Sequence, residues 1–313
     1  MKAPRFVALF VIIATVITSV GVVFAQGTSG YQPRLAEMMR NVVIEDNMPF
    51  SRSAIFPCGE RSCAQTYYAI PTDRDRVTMN IVVVNNDSKN KTALLVVPGS
   101  DGSDGRVSIK GLLAPKFGAM QYLYDHADIF LKSGITLVAT GCPTDQTEKF
   151  GQCYDDYRKS SKYTDDFKKI ISMLKEKYGY EKFFIFGHSS GGISSKWLPV
   201  NMPEAFAGTI NSSAMSLPAG GLASSMPNFD MTTIKIPVLN IAHEDDQCPS
   251  TPYWTVKKYS QNNLVTVKGG GSSGFVCGGA NRHSFEGRQR GVSRAIAKWI
   301  TTGEVQAVVD SDD

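Results

Sequence analysis

Residues Lys182–Leu198 read KFFIFGHSSGGISSKWL. Lys182–Phe186 has the composition of a buried strand, and Gly192–Leu198 that of a helix which Pro199 is expected to end. Between them lies Gly187-His188-Ser189-Ser190-Gly191. A strand that turns at once into a helix brings backbone segments close together, and glycines on either side of Ser189 leave room for that approach. Such a turn lifts the serine oxygen clear of the sheet edge. It also sets the serine at a helix N-terminus, where the dipole and free N–H groups favour developing negative charge. The pattern GxSxG is common and weak by itself; its strand–turn–helix setting gives it weight.

The same alternation extends in both directions. Thr92–Val97 (TALLVV) is an almost continuous apolar run, Ile135–Thr140 (ITLVAT) reads as a second buried strand, and Phe206–Ile210, Val238–Ile241 and Leu264–Val267 read as further strands. Continuous apolar strands require a sheet covered on both faces. The spacing predicts helices over Tyr122–Phe130, over Asp165–Tyr178, with Phe167, Ile170, Ile171 and Leu174 on one face, and over Ser284–Thr301. Gln65–Ile70 and Val77–Asn85, joined by the polar turn Pro71–Arg76, read as an antiparallel pair ahead of this α/β unit.

Lys2 and Arg5 precede an apolar run from Phe6 to Phe24, and Val23-Phe24-Ala25 suits a signal peptidase, so cleavage is expected after Ala25. No other stretch is long and apolar enough for a transmembrane helix. The expected organisation is a signal peptide (1–25), a polar lead-in (26–53), one catalytic domain (54–303) and an acidic tail (304–313), with Val309–Asp313 frayed. Removing Lys2 and Arg5 lowers the formal charge from +4 to +2. That balance gives no electrostatic case for nucleic acid or for a membrane surface. The six cysteines all follow the signal. In an exported chain they suggest disulfides, with adjacent pairing Cys58–Cys63, Cys142–Cys153 and Cys248–Cys277 as the working assignment.

A serine hydroxyl needs an imidazole to take its proton and a carboxylate to orient that imidazole. Of the four histidines, His126 falls in a helix, His188 adjoins the serine, and His243 ends the strand VLNIA. His283 lies in a loop after the last strand and before the final helix, where the chain order serine–acid–histidine places the base. The acid should follow an intervening strand, and His243-Glu244-Asp245-Asp246-Gln247-Cys248 begins as VLNIA ends. Asp246 is preferred, Asp245 is its rival, and Glu244 stands third. A metal set of His243, Asp245 and Cys248 fits poorly, because a disulfide-bonded cysteine cannot ligate. For an oxyanion hole the backbone N–H of Ser190 is one candidate donor, and Ser100 or Asp101 in the loop after TALLVV is the other.

PGSDG, GHSSG, HEDDQC and NRHSFEG together resemble the α/β-hydrolase superfamily from about Val77 to Ile300. The resemblance implies a mostly parallel sheet of about eight strands with helices on both faces, and Ser189, Asp246 and His283 as a catalytic triad. The oxyanion loop departs from the HGGG form. Ser213–Thr233 is short, so a small or absent lid is expected; Met215, Leu217, Leu222 and Met226 are candidates for an acyl pocket or for packing. The activity implied is hydrolysis of an ester, thioester or amide on a small-molecule or acyl substrate, without cofactor or metal. Acyl transfer and peptide cleavage use the same groups, and a catalytically inactive binding protein of this fold is the alternative from another class. A secreted or periplasmic location follows, with no stable membrane insertion once the signal is removed. Mass spectrometry of the exported protein should find a chain beginning at Gln26; one beginning at Met1 would contradict cleavage.

Overall fold

Every residue from Ala93 to Val97 is buried, which is what a strand with neighbours on both edges and helices on both faces requires. The computed structural model describes residues 50–58, 61–85, 89–97, 99, 121–146, 153–217, 229–260 and 262–313. The expected signal peptide and the lead-in up to residue 49 lie outside these. In chain order the strands are β1 (Phe50–Cys58), β2 (Arg61–Pro71), β3 (Thr78–Asn85), β4 (Thr92–Val97), β5 (Ile135–Pro143), β6 (Lys182–His188), β7 (Gly208–Ser212), β8 (Val238–His243), β9 (Leu264–Val267) and β10 (Val308–Val309). The described helices are α1 (Gln121–Asp125), α2 (Ala127–Lys132), α3 (Asp155–Arg158), α4 (Ser161–Tyr178), α5 (Gly191–Asn201), α6 (Tyr253–Ser260) and α7 (Gln289–Thr302).

One sheet carries all ten strands, in the order β1-β2-β3-β5-β4-β6-β7-β8-β9-β10. Pairings from β5 to β10 are parallel, and β1, β2 and β3 add antiparallel strands at one edge. Successive side chains on a strand point to opposite faces, and the core divides accordingly. Leu94, Val96, Phe184 and Phe186 pack with Phe130 of α2 and with Ile296 and Trp299 of α7. Leu95, Val97, Phe183 and Ile185 face the other way, onto Phe167, Ile170 and Leu174 of α4. Each fully buried large side chain contributes roughly 1.5–3 kcal/mol, so the central strands are held from both sides.

The mostly parallel sheet is the one expected; among the described residues it has ten strands where about eight were expected, because β1 pairs with β2 from Phe50 onward and the tail supplies β10. The end of the lead-in, residues 50–53, is therefore strand. Three other expectations are corrected.

Pro199 does not end its helix, which runs on to Asn201. A proline lacks the N–H that would reach the Ser195 carbonyl, and the Thr209 hydroxyl donates to that carbonyl instead, at 2.6 Å.

The last helix begins at Gln289 rather than Ser284, since Phe285 adopts a left-handed backbone (φ +59°) that no helix continues through.

Finally, the acidic tail is not frayed. Val308 and Val309 pair with β9, the Asp312 carboxylate accepts the Gly291 N–H at 2.9 Å, and Arg294 donates to the Asp312 carbonyl. The first turn of α7 has free N–H groups and no side-chain cap from Arg288, so Asp312 serves as its cap from a distance.

Cys142 and Cys153 form a disulfide that joins the end of β5 to the segment entering α3. Cys63 is disulfide-bonded as well, while the side chain of Cys58 lies outside the described residues. Asp312→Ala is expected to lower stability by about 1 kcal/mol, read as a lower urea midpoint with an unchanged m-value. An unchanged midpoint would contradict the capping role.

Candidate active site

The sheet's central strand β6 delivers Ser189. Its φ is +54°, a left-handed value that costs a non-glycine residue roughly 1–3 kcal/mol and persists only when its surroundings fix it. The fixing bonds are all present. Ser189 N–H donates to Ser212 O at 3.1 Å, while Ser189 O accepts from Gly192 N at 3.0 Å and from Met215 N at 2.9 Å. At Gly187 a Cβ would run into the Gly191 carbonyl and lie 2.5 Å from Ser195 Oγ, so only glycine lets strand and helix meet this closely. Gly99, just beyond β4, approaches as tightly: a Cβ there would sit 2.8 Å from His188 O and 3.3 Å from Ser189 Cβ.

His283 lies on a short turn, Arg282–Ser284, with Asn281 capping the Arg282 N–H at 2.7 Å. Its Nδ1 is 3.0 Å from Asp246 Oδ2, and both side chains are fully buried. Thr251 Oγ1 donates to the same carboxylate oxygen at 2.8 Å and stands 3.2 Å from His283 Nδ1. Cys248 N–H donates to Asp246 Oδ1 at 2.9 Å. A neutral imidazole whose Nδ1 faces a carboxylate carries its proton there and leaves Nε2 as a free acceptor. His283 Nε2 is buried and has no hydrogen-bond partner among the described residues. The Cys248–Cys277 disulfide ties the acid turn to the loop that leads into His283.

The other candidates are placed differently. Asp245 is more than half exposed and faces Arg282, 3.5 Å away; Glu244 pairs with Lys268 at 3.4 Å. His243 uses both ring nitrogens, Nδ1 accepting from Asp245 N at 3.0 Å and Nε2 donating to Gly269 O at 2.6 Å. With Cys248 in a disulfide, neither residue is free to bind a metal. His188 is buried, bonds Ser212 Oγ through Nδ1 at 3.1 Å, and packs on His283 with ring centroids 4.8 Å apart. Burial and the neighbouring His283 hold its pKa well below the ordinary imidazole value, so it remains neutral. The N–H of Ser190 has no acceptor among the described residues. Met215 is buried against Ile193, with Trp197 and Phe229 packed on the pair, and Leu217 is half-buried. Ser100, Asp101, Leu222 and Met226 lie outside the described residues.

A model of the serine aminopeptidase, S33 family matches residues 153–281, a span that holds Ser189 and Asp246. Among solved structures, the chain is similar to Est1E from Butyrivibrio proteoclasticus with ferulic acid bound, at 14% identity and a TM-score of 0.50, covering 75% of this chain and 97% of that one. It is similar to the proline iminopeptidase of Mycobacterium smegmatis at 11% identity, with the same TM-score of 0.50 and the same coverage. The likeness to these two structures shows an α/β-hydrolase fold. A comparison with curated proteins finds no match.

Two residues at this site were not singled out from the sequence. Thr251 gave no signal, being one hydroxyl in the loop QCPSTP. Lys196 did give one, as a lone cation among Ile193, Trp197 and Leu198. It is buried with no ion-pair partner among the described residues. Its Nζ donates to Met215 O at 2.9 Å and lies over the rings of Tyr259 and Phe229, at 5.7 and 6.0 Å. Burial pushes its pKa from 10.5 down to about 7. Between those values the unfolded chain binds a proton that the folded chain does not, so stability should rise with pH from about 7 to about 10, by at most about 1.4 kcal/mol per unit. Urea midpoints of the wild type and Lys196→Met across that range test this. Their difference should grow with pH in favour of the wild type, and a constant difference would contradict a neutral buried lysine.

Proposed function

We propose that this chain, with its α/β-hydrolase fold, is an exported serine hydrolase that cleaves a carboxylic ester, thioester or amide through an acyl-enzyme on Ser189. The observation that supports this most is the buried Asp246–His283 pair at 3.0 Å; His283 Nε2 has no partner among the described residues, and its ring packs on the residue before Ser189. As Ser189 Oγ bonds to the substrate carbonyl carbon, His283 Nε2 takes the hydroxyl proton. Asp246 stabilises the imidazolium and remains ionised. The imidazolium then protonates the leaving oxygen, sulfur or nitrogen as its bond to carbon breaks. Water repeats the sequence: Nε2 takes its proton, the acyl group leaves as the acid, and Ser189 recovers its hydrogen. The Ser190 N–H would bind the oxyanion, together with a backbone donor at Ser100 or Asp101. Disulfides of this kind persist in oxidising compartments, which supports export.

The test is steady-state hydrolysis of p-nitrophenyl esters and amino-acid p-nitroanilides. Ser189→Ala should lower kcat/KM by at least about a thousandfold and Asp246→Asn by about a hundredfold or more, with Asp245→Asn within about threefold of wild type. Equal losses in the two aspartate variants would reject Asp246 as the orienting acid. A wild type that turns over none of these substrates would favour an inactive binding protein.

A further inference from the structure

Four non-glycine residues among those described have a positive φ: Arg76, Ser189, Ser213 and Phe285. Arg76 stands in the exposed turn between β2 and β3. The other three gather at the proposed triad: Ser189 itself, Phe285 two residues after His283, and Ser213, the first residue beyond β7. Strain of this kind persists only where the surroundings enforce it, and it concentrates at functional sites.

Ser213 is fully buried and has φ +37°. A residue with a Cβ avoids that conformation, whereas glycine adopts it freely. What serine adds there is a hydroxyl, which donates to His283 O at 2.8 Å. Among the described residues no other donor reaches that carbonyl. The peptide joining Ser212 to Ser213 is itself held on both sides. Its carbonyl accepts the Ser189 N–H at 3.1 Å, and its N–H donates to Ile241 O of β8 at 2.8 Å. One dipeptide therefore bonds the backbone of Ser189 through Ser212 and that of His283 through Ser213. Asp246 orients the His283 ring through Nδ1, but that bond does not set where the main chain of His283 stands relative to Ser189. The dipeptide does.

We propose that Ser213 is a positioning residue for the base: its hydroxyl, aimed by the strained backbone, fixes the His283 main chain relative to Ser189 so that Nε2 can take the serine proton. This rests on Ser189 and His283 being nucleophile and base. Ser213, being fully buried, acts through the His283 carbonyl and not on substrate.

Ser213→Ala and Ser213→Gly both delete the hydroxyl, but only glycine relieves the strain. Activity should follow the hydroxyl and stability the strain. On p-nitrophenyl acetate both variants should lose about tenfold or more in kcat, with KM within about twofold of wild type. The rate of labelling by a fluorophosphonate should fall alongside kcat. The urea midpoint should be higher for Ser213→Gly than for Ser213→Ala; a glycine variant no more stable than the alanine one would contradict the strained aim of the hydroxyl. A kcat within about twofold of wild type in both variants would overturn the proposal, leaving the hydroxyl as the partner of a buried carbonyl and nothing more. So would a loss confined to Ser213→Ala, because strain and not the hydroxyl would then control activity. A wild type that neither hydrolyses the ester nor takes the label would remove the nucleophile assignment and this proposal with it. An active wild type with unaffected variants would remove only the role of Ser213.

Discussion

Ser189 holds a left-handed backbone at the point where the central strand β6 becomes helix α5, and the surrounding architecture is what keeps it there. A residue with a Cβ does not rest at φ +54° unaided. Its amide is bonded to the end of β7, its carbonyl to Gly192 and Met215, and neighbouring backbone fills the space on both sides so closely that Gly187 and Gly99 can have no side chains. The two helix layers that bury β4 and β6 thus supply more than stability. They make the end of β6 stiff enough to carry a strained serine, so that burial energy from the core maintains local geometry at the sheet edge.

The proposed acid and base, Asp246 and His283, show a similar economy. Asp246 receives hydrogen bonds from Cys248 N, Thr251 Oγ1 and His283 Nδ1, which fill most of the roughly four acceptor sites of a carboxylate and offset its desolvation. Leaving such a group unpaired would cost several kcal/mol, so the three partners stabilise the site as a unit. The Cys248–Cys277 disulfide closes the same loops covalently. His188, neutral and packed on His283, fills the space beside that ring without adding charge.

Much of this was legible along the chain, for identifiable reasons. Continuous apolar runs such as TALLVV marked strands buried on two faces, and chain order pointed to an acid turn after VLNIA and a histidine before the last helix. The patterns could not separate Asp245 from Asp246 with certainty, because adjacent carboxylates in a turn differ only in the way they point. The structure puts Asp246 against His283 and Asp245 toward solvent. Pro199 misled because propensity counts the lost N–H and not the Thr209 hydroxyl that replaces it. The tail misled because its partner, a free β9 edge, lies some forty residues away along the chain. Thr251 matters only through tertiary neighbours, which spacing does not encode, and Lys196 stood out only as a lone cation, its acceptor Met215 O being set by the fold.

The central claim is that Ser189 is the reactive hydroxyl. Incubating the folded protein with a fluorophosphonate and mapping the adduct by peptide mass spectrometry tests it directly. A single phosphonylated serine at Ser189 is predicted, with labelling abolished by prior heat denaturation. An unmodified protein, or an adduct on any other serine, would contradict it.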